Sequence, residues 1–207
     1  MPTFELTEYS EAALDAASDT PGHYTIKVDP LANKALLHAR GFYYCDTLLA
    51  TAGTASRLPA LDIPAGLRAS KTVDPAGALE ICHGAFTHGR FHRDFLLSSM
   101  NADLRYDNWL RQLLDAGDVY GLFREDELGG FIGVSGNSLV LHAVAPSMRG
   151  QGLAKYWWHA VIADLFAAGN ETVTSSISAS NVAVVNLYAS LGFSFQHPQD
   201  IYHRIVT

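Results

Sequence analysis

The sequence predicts a mixed α/β or α+β fold, one sheet flanked by helices, and neither a helical bundle nor a β-sandwich. Three features lead there. Segments of alternating apolar and polar residues, such as HYTIKV and TVTSSIS, recur along the chain. Between them lie stretches with apolar residues at helical spacing, the longest being LAKYWWHAVIADLFAAG. With 207 residues, 48% of them hydrophobic, the chain can bury a core without a metal or disulfide staple.

The first piece reads helix, strand, helix, strand. Residues 8–17 carry Ala and Leu behind early acidic residues and predict a short helix. HYTIKV follows as a strand. Pro30 then opens LANKALLHAR, with Leu31, Ala35, Leu36 and Ala39 on one face and Gly41 as its stop. FYYCDTLL is the next strand. After it the composition thins into small residues with Gly and Pro, so 1–50 reads as a small N-terminal α/β subdomain, 51–65 as a linker and 66–207 as the main domain.

In the main domain LRASKTV is strand-like, and Asp74-Pro75 starts a helix with Ala78, Leu79, Cys82 and Phe86 as its stripe. The polar loop THGRFHRD leads to the helix NADLRYDNWLRQLLDAG, with Leu104, Trp109, Leu110 and Leu113 expected to point inward. VYGLFR, GGFIGVSG and SLVLHAVAP are strands, and LAKYWWHAVIADLFAAG is a helix closed by Gly169. TVTSSIS is a strand, NVAVVNLYASLG a helix capped by Gly192, and FSFQ and IYHRIV two short final strands.

Composition excludes several function classes. The net charge of −7 leaves no basic footprint for nucleic acid. No apolar run approaches the ~20 residues of a membrane helix. The N-terminus has no basic n-region or apolar h-region, so no secretory signal is expected and the chain reads as cytoplasmic. Cys45 and Cys82, far apart and in no CxxC pattern, read as buried free thiols. No HExxH or paired-Cys spacing predicts a metal site.

The most informative stretch is VAPSMRGQGLA, residues 144–154. A strand runs into a loop, Gly150 and Gly152 follow, and a long helix begins. The amides of Gly150, Gln151, Gly152, Leu153 and Ala154 then lie at a helix N-terminus, where unpaired N–H groups and the helix dipole favour a pyrophosphate. Glycine removes side chains that block close approach, and Arg149 and Lys155 add charge. Neither the P-loop nor the dinucleotide fingerprint fits, and two glycines can also make nothing more than a tight turn.

Arg149-Gly150-Gln151-Gly152-Leu153-Ala154 resembles the R/Q-x-x-G-x-G/A signature of the GNAT acyltransferase superfamily. About 30 residues downstream of it, Asn181 to Phe193 is similar to that family's N-x-x-A-x-x-x-Y-x-x-x-G-F, with Val184 in place of the usual Ala. The resemblance covers about 66–207 and implies a GNAT-type, mostly antiparallel twisted sheet. It implies acetyl-CoA as acetyl donor, wedged between SLVLHAV and TVTSSIS. By the resemblance the pyrophosphate lies on 149–154, Asn181 touches the pantetheine arm, and strand amides at His142, Ala143 and Val144, at a bulge, bond the pantetheine or the thioester carbonyl.

Asn181 and Tyr188 are seven apart and share a helical face, so a Tyr188 near the thioester would act as general acid towards the leaving thiolate. The alternative is a half-buried tyrosine packed on the sheet. For a base, His142, His92 and Asp94 are all candidates.

The acceptor loop and following helix mix Arg, His, Asp and aromatics, a set that suits a sugar nucleotide and equally suits a polar surface loop with an amphipathic helix. RFHRDF with Tyr106 and Trp109 resembles the dTDP-4-amino-4,6-dideoxygalactose (TDP-fucosamine) N-acetyltransferases, whose N-terminal partial copy of the fold is similar to DPLANKALLHARGFYYCDTLL. That resemblance implies that Arg90, Phe91, His92, Asp94 and Tyr106 face the acceptor, the 4-amino group of a nucleotide-linked 4-amino-4,6-dideoxysugar. A polyamine, an antibiotic, an amino acid or a protein N-terminus remains an alternative acceptor, and a non-catalytic acyl-CoA sensor a different class. Trp157 and Trp158 are candidates either for a homodimer contact or for the core.

Overall fold

A computed structural model describes residues 1–17 and 19–207. Among these described residues nine strands form one continuous sheet in the order β1-β2-β9-β3-β8-β7-β6-β5-β4. The strands are β1 (Thr3–Leu6), β2 (Gly22–Val28), β3 (Tyr43–Thr54), β4 (Leu67–Ser70), β5 (Val119–Arg124), β6 (Glu127–Ser135), β7 (Ser138–Val144), β8 (Thr172–Ser178) and β9 (Ser194–Val206). The helices are α1 (Glu11–Ala16), α2 (Ala35–Ala39), α3 (Pro75–Cys82), α4 (Ser99–Asp115), α5 (Leu153–Ala167) and α6 (Val182–Ser190). Only β1–β2 and β7–β8 pair in parallel, so the sheet is mixed and mostly antiparallel, as expected.

Local chemistry explains the boundaries. Asp74 caps α3 by accepting from the amides of Ala76 and Gly77, with Pro75 as the first helical residue. Ser98 caps α4. Helix α2 is shorter than the sequence suggests, because the Lys34 ammonium bonds the carbonyls of Asp29 and Pro30 and the preceding residues form a turn instead. The inward face of α4 is Ala102, Tyr106, Leu110 and Leu113, whereas Leu104 and Trp109 lie partly in solvent, 45% and 37% exposed. FSFQ and IYHRIV are not two strands but one long β9, which keeps pairing with β3 past a register shift.

The expected linker is also revised. Residues 51–54 belong to β3, which pairs β8 on one edge and β9 on the other. Their small size reflects packing: a Cβ on Gly53 would sit 2.7 Å from the Phe193 ring. The irregular connection begins only after Arg57. The N-terminal strands are thus part of the main sheet, and the C-terminal strand β9 lies between β2 and β3.

Two cores cover the sheet around β5–β7. Leu122, Ile132, Val134 and Leu139 pack under α5 and α6, while Val119, Phe131 and Leu141 pack under α3 and α4. Leu139 and Leu141 are two apart and should share a face. They face opposite sides because the β6–β7 register shifts at Val140, a bulge that also bends the strand. A third cluster joins α1 and α2 to β2 and Tyr202 of β9. Trp157 and Trp158 are buried core residues, so neither offers a contact to a second subunit. Among the described residues no helix is long and apolar enough to cross a membrane.

Candidate active site

Strands β7 and β8 pair only at Ser138–Thr174 and Leu139–Ser175. Beyond these positions they part, just where the Val140 bulge turns β7 away. The expected bulge at His142–Val144 therefore falls earlier, at Val140. The parted strands open a cleft of about 660 Å³. One wall carries His142, Ala143 and Val144, the other Ser176, Ile177 and Ser178.

The cleft runs on to the loop before α5. Arg149, Gly150, Gly152, Leu153 and Ala154 line it. Gly150 and Gly152 have φ of 74° and 73°, the left-handed region that glycine adopts at least cost. A Cβ at either would meet nothing within 4 Å, so the backbone there is open to a ligand. Gly152 caps α5 with no side-chain bond to its first amides, leaving those N–H groups for an anion. The Arg149 Nε donates to the Val144 carbonyl at 2.8 Å and fixes that side chain. Gln151 is turned away from the cleft, bonded to Ser147 and Arg124.

Asn181 lines the cleft and caps α6 by accepting from the Val184 amide. Being a cap, with φ −87° and ψ 71°, it lies outside the helical period, so its spacing to Tyr188 does not put both on one face. Ala183, Val184 and Leu187 line the cleft instead, and Tyr188 turns into the core, fully buried. Its hydroxyl lies 3.2 Å from His142 Nε2. His142 forms the cleft wall between them and packs edge-on against Trp158. Burial pushes the Tyr188 hydroxyl up to about 12 and the His142 imidazole down to about 4, so both are neutral at pH 7.

The far end of the cleft holds the expected acceptor residues only in part. Arg90, Phe91 and Tyr106 line it, together with Phe86 and Trp109. The Arg90 Nε is buried with no hydrogen-bond partner. Arg105 lies half-buried over the Phe91 ring, and burial, then the neighbouring Arg90, lowers its pKa. No ion pair to a carboxylate is present for either guanidinium among the described residues.

His92 and Asp94 do not face the cleft. His92 bonds Asp103 at 2.8 Å and stacks on Tyr106. Asp94 is 1% exposed and ties its loop to three strands. It accepts from Tyr43 and the Leu96 amide on Oδ1, and meets His23 and His203 at 3.1 and 2.7 Å on Oδ2. Burial opposes its charge, but these bonds outweigh burial and hold its carboxyl well below the usual range. Although sequence spacing offers no metal motif, the fold gathers His23, Asp94 and His203 with ligand-type atoms within 4.8 Å. Hydrogen bonds already fill all the acceptor positions of Asp94, and the cluster works as a clamp. Cys45 and Cys82 are buried free thiols, each pushed up to about 12 by burial.

The Ser176–Ser178 wall belongs to TVTSSIS, expected to flank the cofactor, whereas sequence reasoning missed Asp46 and Lys27. They sit on strands far from either motif, and only the sheet order brings them to the cleft.

Comparison with known proteins agrees with the fold. A model of the acetyltransferase (GNAT) family matches residues 88–193. The fold is similar to a GCN5-related N-acetyltransferase from Sphaerobacter thermophilus, with TM-score 0.65 and 17% identity over 94% of this chain. This chain spans 64% of that protein's length. A Drosophila protein is similar with TM-score 0.66 and 16% identity, covering 97% of this chain and 68% of that one. A GCN5-related N-acetyltransferase from Kribbella flavida gives 0.59 and 13%, covering 93% and 74%. No curated protein matched in sequence. The matched segment spans about half the chain and contains both the glycine loop and the Asn181–Phe193 motif, and on that evidence the chain belongs to the acetyltransferase (GNAT) family.

Proposed function

We propose that the protein is an N-acetyltransferase that moves acetyl from acetyl-CoA to the 4-amino group of a nucleotide-linked 4-amino-4,6-dideoxysugar. The observation that carries the reading is the single continuous cleft. At one end it has open amides at a helix N-terminus, at the middle two parted strands, and at the far end the Arg90 guanidinium, which shares the Phe91 ring with Arg105, neither paired to a carboxylate among the described residues. In this reading 150–154 hold the CoA pyrophosphate and the strands flank the pantetheine. The 140–144 backbone, beyond its pairing to β8, stabilises the oxyanion.

The acceptor end supports an anionic, ring-bearing acceptor. Two adjacent guanidiniums repel each other, and a phosphate relieves that repulsion. Phe86, Phe91, Tyr106 and Trp109 offer faces for a base or sugar. A polyamine, by contrast, brings no anion to Arg90. The amine attacks the thioester carbon, the C–S bond breaks, and the thiolate takes up a proton. Tyr188, protonated at neutral pH, is the proposed donor, acting through His142 at the cleft wall.

The test is acetyl transfer read by mass spectrometry. Purified protein and acetyl-CoA meet dTDP- and UDP-linked 4-amino-4,6-dideoxysugars, with spermidine and a peptide as comparators. Acetyl gain on a nucleotide sugar is expected. Gain only on spermidine or peptide contradicts the sugar assignment, and no gain at all contradicts the enzyme reading.

A further inference from the structure

We propose that Asp46 receives the acceptor's ammonium group and takes its proton before the amine attacks. The inference rests on the acetyl-transfer reading above and adds the proton acceptor that the sequence does not assign.

Asp46 stands on β3 where the pairing with β9 is shifted by one residue at Cys45. It lines the cleft, and among the described residues it is the only carboxylate that does. Its side chain is 1% exposed. Oδ1 is fully engaged, accepting from Arg93 at 2.8 Å, Ser178 at 2.8 Å and the Thr47 amide at 2.9 Å. Oδ2 is buried with no donor among the described residues. A buried carboxylate oxygen left unpaired is costly and rare in native proteins, so a donor that arrives with the substrate accounts for it.

An amine that is protonated at neutral pH needs such a group. An ammonium on Oδ2 completes the carboxylate's bonding. Burial favours the protonated form of Asp46 and raises its pKa, against the opposing pull of Ser178, Arg93, the Thr47 amide and Arg90. The other charged or titratable groups near it are Tyr106 and Cys45, with Lys27 also on the cleft wall and paired to Glu5. His142, held near 4 by burial, is a weak base.

The protons balance. One leaves the ammonium for Oδ2 and then passes to solvent. The freed amine attacks, the C–N bond forms and the C–S bond breaks. The second nitrogen proton is lost as the amide forms, and one proton reaches the thiolate.

The test uses the full chain, acetyl-CoA and each panel member that the wild type acetylates, dTDP-4-amino-4,6-dideoxygalactose first. Asp46→Asn keeps an oxygen towards Arg93, Ser178 and Thr47 and changes only Oδ2. Its acceptor kcat/KM should fall ~100-fold or more at pH 7, with acetyl-CoA affinity within about twofold and recovery as pH rises through the amine's pKa. A variant that transfers acetyl like the wild type overturns the role of Asp46 and leaves the enzyme reading standing. Should the variant not fold, the wild-type profile decides. A kcat/KM that stays level below the amine's pKa is expected, and a tenfold fall per pH unit starting at that pKa overturns the proposal. Absence of transfer to every panel member overturns the enzyme reading and this inference with it.

Discussion

Tyr188 and His142 form a pair in which the tyrosine never touches the cleft directly. If the thiolate's proton passes between them, the two residues act as one unit and their effects do not add. Tyr188→Phe should lower kcat ~10²-fold or more while the KM for acetyl-CoA changes little. His142→Gln should cost a similar factor, and the double variant hardly more than either. Steady-state kinetics of the three variants check this; a fully additive double variant breaks the link, and unchanged turnover in Tyr188→Phe removes the tyrosine from the chemistry. Asp94 calls for a different measurement. Removing it leaves Tyr43, His23, His203 and the Leu96 amide without their shared acceptor. Asp94→Ala should cost about 3–5 kcal/mol of folding stability in urea titration, because several buried donors lose their acceptor at ~1–3 kcal/mol each. A loss below about 1 kcal/mol would mean that the clamp closes through other contacts.

At the scale of elements, the start of α5 concentrates the ligand chemistry. Gly150 and Gly152 sit at positive φ with free space above them. An L-residue there costs roughly 1–2 kcal/mol of backbone strain and places a methyl over the open amides. Gly152→Ala should weaken acetyl-CoA at least about tenfold, about 1.4 kcal/mol by calorimetry, with a modest fall in stability. Unchanged affinity would place the pyrophosphate elsewhere. This element was plain in the sequence because strand, glycines and helix are contiguous there. So were β7, β8 and α6, whose periodicities are strong. What the sequence hid lies where contiguity ends. The turn of Tyr188 away from the cleft depends on Asn181 being a cap outside the helix. The small residues of 51–54 mimic a linker, although Gly53 is small because Phe193 lies against it. Asp46 has no local motif, and neither does the His23–Asp94–His203 clamp, whose members are 71 and 109 positions apart.

For the whole molecule, the sheet order makes the N-terminal segment indispensable. Strand β9 is held on one side by β2 and on the other by β3. A chain comprising 58–207 strands β9 with neither neighbour and exposes the open edge of β8. It should show no cooperative unfolding transition by circular dichroism; a stable truncated domain would show that the two pieces fold separately. Buried neutral imidazoles set the acid response. His142 is held near 4, and His203 is lowered by burial against the pull of Asp94, while free imidazole titrates near ~6.5. Between those values the unfolded chain binds more protons, so stability falls as pH drops below ~6.5. The depressed Asp94 carboxyl continues the fall below its unfolded value of ~3.9. Asp46, shifted upward, works in the opposite sense. Melting temperature should therefore decline from pH 7 to 5, and more shallowly in His142→Gln. The most direct measurement is a crystal structure with acetyl-CoA bound. The pyrophosphate is expected on the amides of 150–154 and the thioester between β7 and β8 beside His142. Electron density for the cofactor outside the parted strands, with the cleft empty, would contradict that placement.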